Sequence, residues 1–505
     1  MTLQTIGAIL RGHAERKADE PAITYGDDTV TWGQLDRRTN QRARQLLAAG
    51  VRQDDLVAIM LPNGIGFHEA AIAAWKAGAT PCLLSARLPE RELAEILDVA
   101  QPRVVISETG AVTTAFAHIA ASADPSTFDD GPLEDAAPRY WKAVASGGST
   151  GRPKIIVDHT PARFDMDVMP MTAMGMRPDG VTLNPGPLYH NGPFLFTSFA
   201  LLQGCHVVGM VRFDAEEALR LIDRYQIEWV NMVPTMMHRI WALPREIRER
   251  YDVSSLRAVW HMAAPCPPWL KHFWIDWLGA DKIWETYAGT EAAGTVISGT
   301  EWLKKPGSVG YADPDRFRIL RADGSECAIG EVGEIDFPQA SRDAFHYIGA
   351  RPADAQQRFS IGDLGYVDAD RYLFLADRRT DLILRGGANI YPAEIEAALD
   401  EHPAIGSSAV IGLPSEDLGQ EVHAIIQLRP GTELDLDDIA TFLSGRLAGY
   451  KRPSSYEIVG EPLRDDAGKV RRSQLRDQRL AWTGEGRQFA QVPPAAPRKT
   501  AAKNR

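Results

Sequence analysis

The sequence predicts an α/β protein, with a large N-terminal domain of layered sheets and helices followed by a smaller C-terminal domain. Three observations carry that reading. Short apolar runs alternate with amphipathic stretches from the start, the pattern of layered sheets with largely parallel, buried strands. The chain has 505 residues, which at roughly 100–200 residues per domain means about two to four domains. A charged run, Asp377-Arg378-Arg379-Thr380-Asp381, follows the hydrophobic strand Tyr372–Leu375 and marks a hinge. The expected partition is 1–379 for the large domain, 380–483 for the small one, and 484–505 for a Pro/Ala-rich basic tail that reads as disordered.

The elements follow in order. Trp32-Gly33-Gln34-Leu35 opens an amphipathic helix through Leu46, Leu47 and Ala48 to Gly50, where glycine suits a left-handed terminus. Apolar runs Leu56–Leu61, Val104–Ser107, Ala143–Ser146 and Ile155–Val157 read as strands, with helical patterns at Gly66–Lys76 and Glu90–Leu97 among them. A long segment without Asp, Glu, Lys or Arg covers Val181 to Val211. Prolines and glycines interrupt it, unlike a bilayer span of roughly 20 apolar residues, so it reads as buried core and pocket wall. No membrane span is expected.

Composition narrows the function classes. With 44% hydrophobic and 24% charged residues, the chain matches an ordinary folded protein. Lys and Arg number 55 against 67 Asp and Glu, and the net charge of −12 offers no long-range attraction to a nucleic-acid backbone. No nucleic-acid partner is expected, and any phosphate must be held locally. Cys82, Cys205, Cys266 and Cys327 are far apart and form no CxxC pair, so they read as reduced thiols. The first twenty residues carry no secretory pattern, and a cytoplasmic location is expected.

The chemistry-bearing segments are individually weak. Ser146-Gly147-Gly148-Ser149-Thr150-Gly151-Arg152-Pro153-Lys154 lies between two strand-like runs. Its glycines expose backbone N–H groups, its hydroxyls add donors and its lysine adds charge, which together suit a polyphosphate. It is not a Walker A loop, and alone it reads more readily as a solvated hairpin loop. Trp284-Glu285-Thr286-Tyr287-Ala288-Gly289-Thr290-Glu291 puts an aromatic ring able to stack on a base near a carboxylate able to hold Mg²⁺ beside phosphates; the bland alternative is a capped strand end. Ile361-Gly362-Asp363 places an acid in a glycine turn, where it could accept from ribose hydroxyls. Further on stand Asp377-Arg378, then Arg385-Gly386-Gly387-Ala388-Asn389-Ile390-Tyr391-Pro392-Ala393-Glu394, and finally Asp466-Ala467-Gly468-Lys469.

The order of these segments, together with Thr31-Trp32-Gly33-Gln34-Leu35 and Leu61-Pro62-Asn63 upstream, resembles the adenylate-forming superfamily of acyl-CoA synthetases, adenylation domains and firefly luciferase. Val233-Pro234-Thr235-Met236, Ala263-Ala264-Pro265-Cys266-Pro267 and the Gly386–Glu396 segment resemble its acyl-CoA synthetases for hydrophobic or bulky acids most closely. The resemblance implies a mobile α+β small domain and an ATP-dependent acid-CoA ligase. A carboxylate attacks the α-phosphate of MgATP, giving acyl-AMP and pyrophosphate, and coenzyme A then displaces AMP. It implies that Ser146, Gly147, Gly148, Ser149, Thr150, Gly151 and Lys154 wrap the phosphates, that Thr290 meets the α-phosphate, and that Glu291 holds Mg²⁺. Tyr287 stacks on adenine with Ala263, Ala264, Glu285 and Thr286 around it, while Asp363 and Arg378 bind the ribose. Lys469 bridges the carboxylate and the α-phosphate. Tyr189, His190, Asn191, Gly192, Val233, Trp260, His261, Met262, Ala288 and Gly289 wall the acid pocket, with His190 bordering the reacting acid. Arg385, Gly386 and Gly387 line the tunnel for coenzyme A, and Thr380 is the hinge.

Trp260 and His261 are bulky where many relatives are smaller, which favours a broad or polycyclic acid over a long linear one. The chain also departs from the family pattern. Thr380 stands where relatives carry Asp or Lys, and Arg358 and Ile361 stand at a Trp and a Thr position. The adenylation residues are intact, whereas the neutral hinge bears on thioester formation. Two alternatives follow: an enzyme that hands acyl-AMP to a separate ligase, carrier protein or amine, and a non-catalytic acid- or nucleotide-binding relative, against which the retained lysines argue. Monomer and homodimer both stay open.

Overall fold

A computed structural model describes residues 3–108, 116–146, 154–168, 171–291, 294–337, 343–349, 359–378, 381–385, 388–415, 417–465, 468–485 and 487–491. Packing divides the chain into two compact units, Met1–Phe317 with Phe337–Ile361 and Arg318–Asp336 with Gly362–Arg505. Thr380 lies outside the described residues.

Among the described residues the first unit holds two large sheets, besides the two-stranded pairing of Gln4–Thr5 with Arg163–Phe164. In spatial order, the first comprises Phe345–Ile348, Lys154–Asp158, Lys142–Ser146, Thr80–Leu83, Leu56–Met60, Val104–Ser107 and Ala117–Ala120. Its first three strands pair antiparallel and the remainder parallel. The second comprises Thr295–Ser298, Ile283–Tyr287, Ala258–His261, Trp229–Met232, Val181–Asn184, His206–Gly209, Pro21–Tyr25 and Asp28–Thr31. Only its two edge pairings are antiparallel. Parallel strands buried on both faces need helices to cover them. Helices Ile6–Arg16, Trp32–Ala48, Ile65–Lys76 and Asn191–Leu202 do so, sharing one core with Val57 and Ile106 of the first sheet and Val207 and Trp260 of the second.

Local chemistry sets these elements. Thr31 caps the helix Trp32–Ala48 through a reciprocal pair: its hydroxyl accepts from Gln34 N–H at 3.3 Å while Gln34 Oε1 accepts from Thr31 N–H at 3.0 Å. Gly50 ends the helix at φ +89°, the left-handed conformation expected from the sequence. The uncharged Val181–Val211 segment folds as strand, loop, helix and strand, with Leu183, Leu188, Phe194 and Val207 buried. Among the described residues, no helix is long and apolar enough to cross a membrane.

In the second unit, Tyr372–Arg378, Asp363–Val367, Gly333–Asp336 and Arg318–Leu320 form an antiparallel run. A second sheet centres on Gly419–Leu428, which pairs with Ile405–Ser415 antiparallel and Ser455–Val459 parallel. Helices Pro392–Asp400 and Leu436–Ser444 cover it through Ile395, Leu399, Ile439 and Leu443. The α/β class of the whole and the α+β character of the smaller part match the expectation.

Two features generate predictions. Ala263, just after the strand Ala258–His261, sits at φ +71°. An L-residue there costs roughly 1–2 kcal/mol, while glycine's extra freedom when unfolded costs roughly 0.5–1. Ala263→Gly is therefore expected to stabilise by about 0.5–1 kcal/mol, read from the denaturant midpoint; a lower midpoint would mean that the left-handed turn is not strained. Burial pushes His68 down to about 3 and His261 down to about 4 from the ordinary 6.5. Such imidazoles stay neutral in the fold and take up protons only on unfolding, so stability falls as pH drops from 6.5 towards 4. The slope of unfolding free energy against pH in that window should shrink in His261→Gln; an unchanged slope would remove His261 from the account.

Candidate active site

The phosphate end begins with a hairpin. Strands Lys142–Ser146 and Lys154–Asp158 pair antiparallel, from Lys142 opposite Asp158 to Ser146 opposite Lys154. Lys142, 1% exposed, forms an ion pair with Asp158 at the open end, so the hairpin is pinned where it leaves the core. Its other end closes residues 147–153. Gly147, Gly148, Ser149, Thr150 and Gly151 lie outside the described residues, as does the Ser146 side chain. Lys154, the first residue of its strand, donates from Nζ to Glu291 Oε1 at 3.2 Å and stands 4.1 Å from the centre of the Tyr347 ring. Tyr347 donates its hydroxyl to the same Glu291 oxygen at 3.1 Å. Burial, and then Glu291, push the Tyr347 phenol's pKa up, so it stays a donor. Gly294 lets this corner form: a Cβ there would stand 1.4 Å from the Tyr287 carbonyl oxygen. Among the described residues no group of three or more His, Cys, Asp and Glu side chains is placed to hold a metal. A single carboxylate, 13% exposed beside a lysine, nevertheless fits Mg²⁺, which keeps waters and takes its other ligands from phosphates.

The base end is built on two neighbouring parallel strands, Ala258–His261 and Ile283–Tyr287, in which Trp260 pairs with Trp284 and His261 with Glu285. Trp260 stacks on Trp284 with centroids 5.3 Å apart and donates from Nε1 to the Met174 carbonyl at 2.9 Å. The opposite face carries His261, Glu285 and Tyr287. There Lys271, fully buried, donates to Glu285 Oε2 at 2.5 Å, and His261 Nε2 stands 4.0 Å from that oxygen. Burial above all keeps His261 neutral, with Lys271 adding to the effect and Glu285 opposing it. Tyr287 is 8% exposed, Ala288 is exposed, and Thr290 is half-buried. Thr286 Oγ1 is buried without a hydrogen-bond partner among the described residues. Ala263 is exposed and Ala264 half-buried.

The expected acid wall is only partly gathered. Tyr189 and His190 pack ring against ring, centroids 4.4 Å apart, and His190 occupies the N-cap position of the helix Asn191–Leu202. Gly192 lies against Met262: a Cβ on it would come within 3.1 Å of Met262 Sδ and 3.9 Å of Asn231 Oδ1. Val233 is 8% exposed at the start of the helix Pro234–Trp241. Gly289 faces Ile361, whose Cδ1 would stand 3.1 Å from an added Cβ, so the residue replacing the family's threonine packs against Gly289. Trp260 and His261 depart from the expectation of one shared wall. Successive strand residues point to opposite faces; Trp260 is 1% exposed in the helix-facing core and His261 sits under Glu285.

In the second unit, the strand register sets Asp363 opposite Arg378; the Arg378 side chain lies outside the described portion. Lys469 is exposed on a turn closed by Asp465, whose Oδ1 accepts from Lys469 N–H at 2.9 Å. Gly468 enters that turn at φ +74°, and its carbonyl accepts from Arg464 at 3.2 Å. Arg385 ends the strand Ile383–Arg385 and donates to the Tyr450 and Arg452 carbonyls at 2.9 and 3.2 Å. Gly386 and Gly387 lie outside the described residues. Tyr347 and Lys271 were not singled out from the sequence, because neither belongs to a motif and each meets its glutamate only through the sheets.

A profile of the AMP-binding enzyme family matches residues 10–338, and one of the AMP-binding enzyme C-terminal domain matches residues 394–469. The chain is 31% identical to a feruloyl-CoA synthase of Amycolatopsis sp, over 94% of this chain and 99% of that protein. It is 28% identical to a fatty acid–[acyl-carrier-protein] ligase of Streptomyces coeruleorubidus, over 94% of this chain and 96% of that one. Among solved structures, the o-succinylbenzoate CoA synthetase of Bacillus subtilis with its acyl-adenylate intermediate aligns at a TM-score of 0.79 and 25% identity, covering 94% of this chain and 99% of that one. By the extent of these matches the chain belongs to the AMP-binding enzyme family and is an AMP-forming acid–thiol ligase.

Proposed function

We propose that the protein activates a hydrophobic carboxylic acid as acyl-AMP with pyrophosphate release, and then forms its coenzyme A thioester in the cytoplasm. The observation that carries this reading is the meeting of Lys154 and Glu291, 137 positions apart, at the mouth of the hairpin whose loop has the composition of a phosphate cradle. Feruloyl, fatty acyl and o-succinylbenzoate groups are named for the relatives above, and the acid is to be sought across that range.

The first step needs charge neutralisation more than a base, because a carboxylate is already an anion at neutral pH and must approach a polyanion. Lys154 and the residues 146–151 would hold the β- and γ-phosphates of ATP, Thr290 the α-phosphate, and Lys469 the attacking carboxylate together with that phosphate. Mg²⁺, held by Glu291, would supply further neutralisation of the phosphates. Tyr347, which already donates to Glu291, would keep that carboxylate turned towards the metal. Tyr287 would stack on adenine, with Ala263, Ala264, Glu285 and Thr286 beside it, and Asp363 and Arg378 would take the ribose. His190, with Tyr189, Asn191, Gly192, Val233, Met262, Ala288 and Gly289, would border the acid. Arg385, Gly386 and Gly387 would admit the thiol after rotation of the small domain, 380–483, about Thr380.

A second reading, in which acyl-AMP passes to a separate carrier protein, ligase or amine, is favoured by Thr380 at the hinge and by the acyl-carrier-protein ligase among the relatives. One assay separates the two. The purified protein is offered linear, aryl and polycyclic acids, and pyrophosphate release and acyl-CoA formation are recorded independently. Both products from one acid class are expected; pyrophosphate without thioester would favour the second reading. Lys469→Ala should cut acid-dependent ATP–pyrophosphate exchange by about 10²–10³-fold, the cost of removing one electrostatic stabiliser, and undiminished exchange would remove Lys469 from adenylation. Gly387→Trp should block thioester formation while sparing exchange; equal loss of both would show that the thiol path is misplaced.

A further inference from the structure

The loop carrying Tyr189 and His190 is held from outside itself by one side chain that the functional reading leaves without a role. Asn63 follows the strand Leu56–Met60 of the first sheet and precedes the helix Ile65–Lys76. Its Nδ2 donates to the Gly186 carbonyl at 2.8 Å and to the Met210 carbonyl at 3.0 Å. Its Oδ1 accepts from Leu188 N–H at 2.8 Å. Two carbonyls on one side and an N–H on the other settle which atom of the amide is oxygen, and both N–H groups are used.

These three bonds join separate parts of the fold. Gly186 and Leu188 lie in the loop between the strand Val181–Asn184 and the helix Asn191–Leu202, and Met210 follows the strand His206–Gly209; both strands belong to the second sheet. The Leu188 side chain is fully buried, so the segment is anchored by its backbone and its side chain at one point. Two residues further on, His190 starts the helix with its N–H on the Pro187 carbonyl at 3.1 Å. The backbone that carries His190 is therefore held, two residues before it, by Asn63.

We propose that Asn63 is a positioning residue for the acid half of the reaction. By tying the ends of two sheets together across the 186–188 backbone, it sets where Tyr189 and His190 stand against the acid. The inference rests on the acid-activating reading above. No other amide-sized side chain replaces this one without loss. Aspartate keeps an acceptor for Leu188 but has no donor for the two carbonyls, and alanine leaves all three backbone groups without their partner.

The test uses the full chain as wild type, Asn63→Asp and Asn63→Ala, with acid-dependent ATP–pyrophosphate exchange, thermal melting and hydrogen exchange of residues 186–190. The expected result is a rise of at least tenfold in the KM for the acid, with the KM for ATP within about twofold of wild type, and faster exchange of the Leu188 and His190 amides. A merely structural role would lower the melting temperature and the fraction of active enzyme while leaving the acid KM alone, and that outcome would overturn the proposal. So would unchanged exchange at 186–190, or KM values for acid and ATP that rise together. If Asn63→Ala fails to fold, Asn63→Asp, which keeps the size of the side chain, decides. A wild type that activates no acid at all would instead bring down the functional reading and the acid role with it, while the exchange data would still show whether Asn63 holds the loop.

Discussion

The contact between Lys154 and Glu291 depends on where two strands end. Lys154 is the first residue of a strand whose next three side chains, Ile155, Ile156 and Val157, are buried, so its position is set by packing rather than by its own charge. Glu291 lies in the turn between Ile283–Tyr287 and Thr295–Ser298, a turn that Gly294 allows to close against the Tyr287 carbonyl. The strands belong to different sheets of the first unit. A lysine and a glutamate brought together in this way are preorganised: the charges stand ready before any ligand arrives, and less rearrangement is left for the moment of reaction.

Much of this was legible in the sequence because the signals are local. The helix Trp32–Ala48 announces itself by its amphipathic pattern and by Gly50, and the apolar runs match strands to within a residue or two at each end. The hairpin around 146–154 follows from a short connection between adjacent strands. The order of the motifs led to the family that the profile matches then established. What escaped depends on long-range pairing. Tyr347 reaches Glu291 because the strand Phe345–Ile348 adds to the edge of the first sheet beside Lys154–Asp158, and Lys271 finds Glu285 only when the helix Pro268–Leu278 lies under the second sheet.

Trp260 and His261, which the resemblance assigns to one pocket wall, are neighbours in the strand Ala258–His261, where the side-chain period is two. Adjacency in a strand means separation in space, and chemistry inferred from a run of neighbours has to be divided between two faces. Ile361 teaches the complementary lesson. Its lack of a hydroxyl reads from sequence as a loss, while in the fold its methyl groups occupy the space beside Gly289.

The alternation along Ala258–His261 also has a consequence for how such a protein changes over time. Trp260, stacked on Trp284, belongs to the side packed on the helices, and His261, under Glu285, to the side packed on Lys271. A substitution on one side leaves the other side's neighbours in place, so the same four-residue strand offers two independently variable surfaces. Inherited variation at one position can proceed while the adjacent position, one codon away, stays under an unrelated constraint.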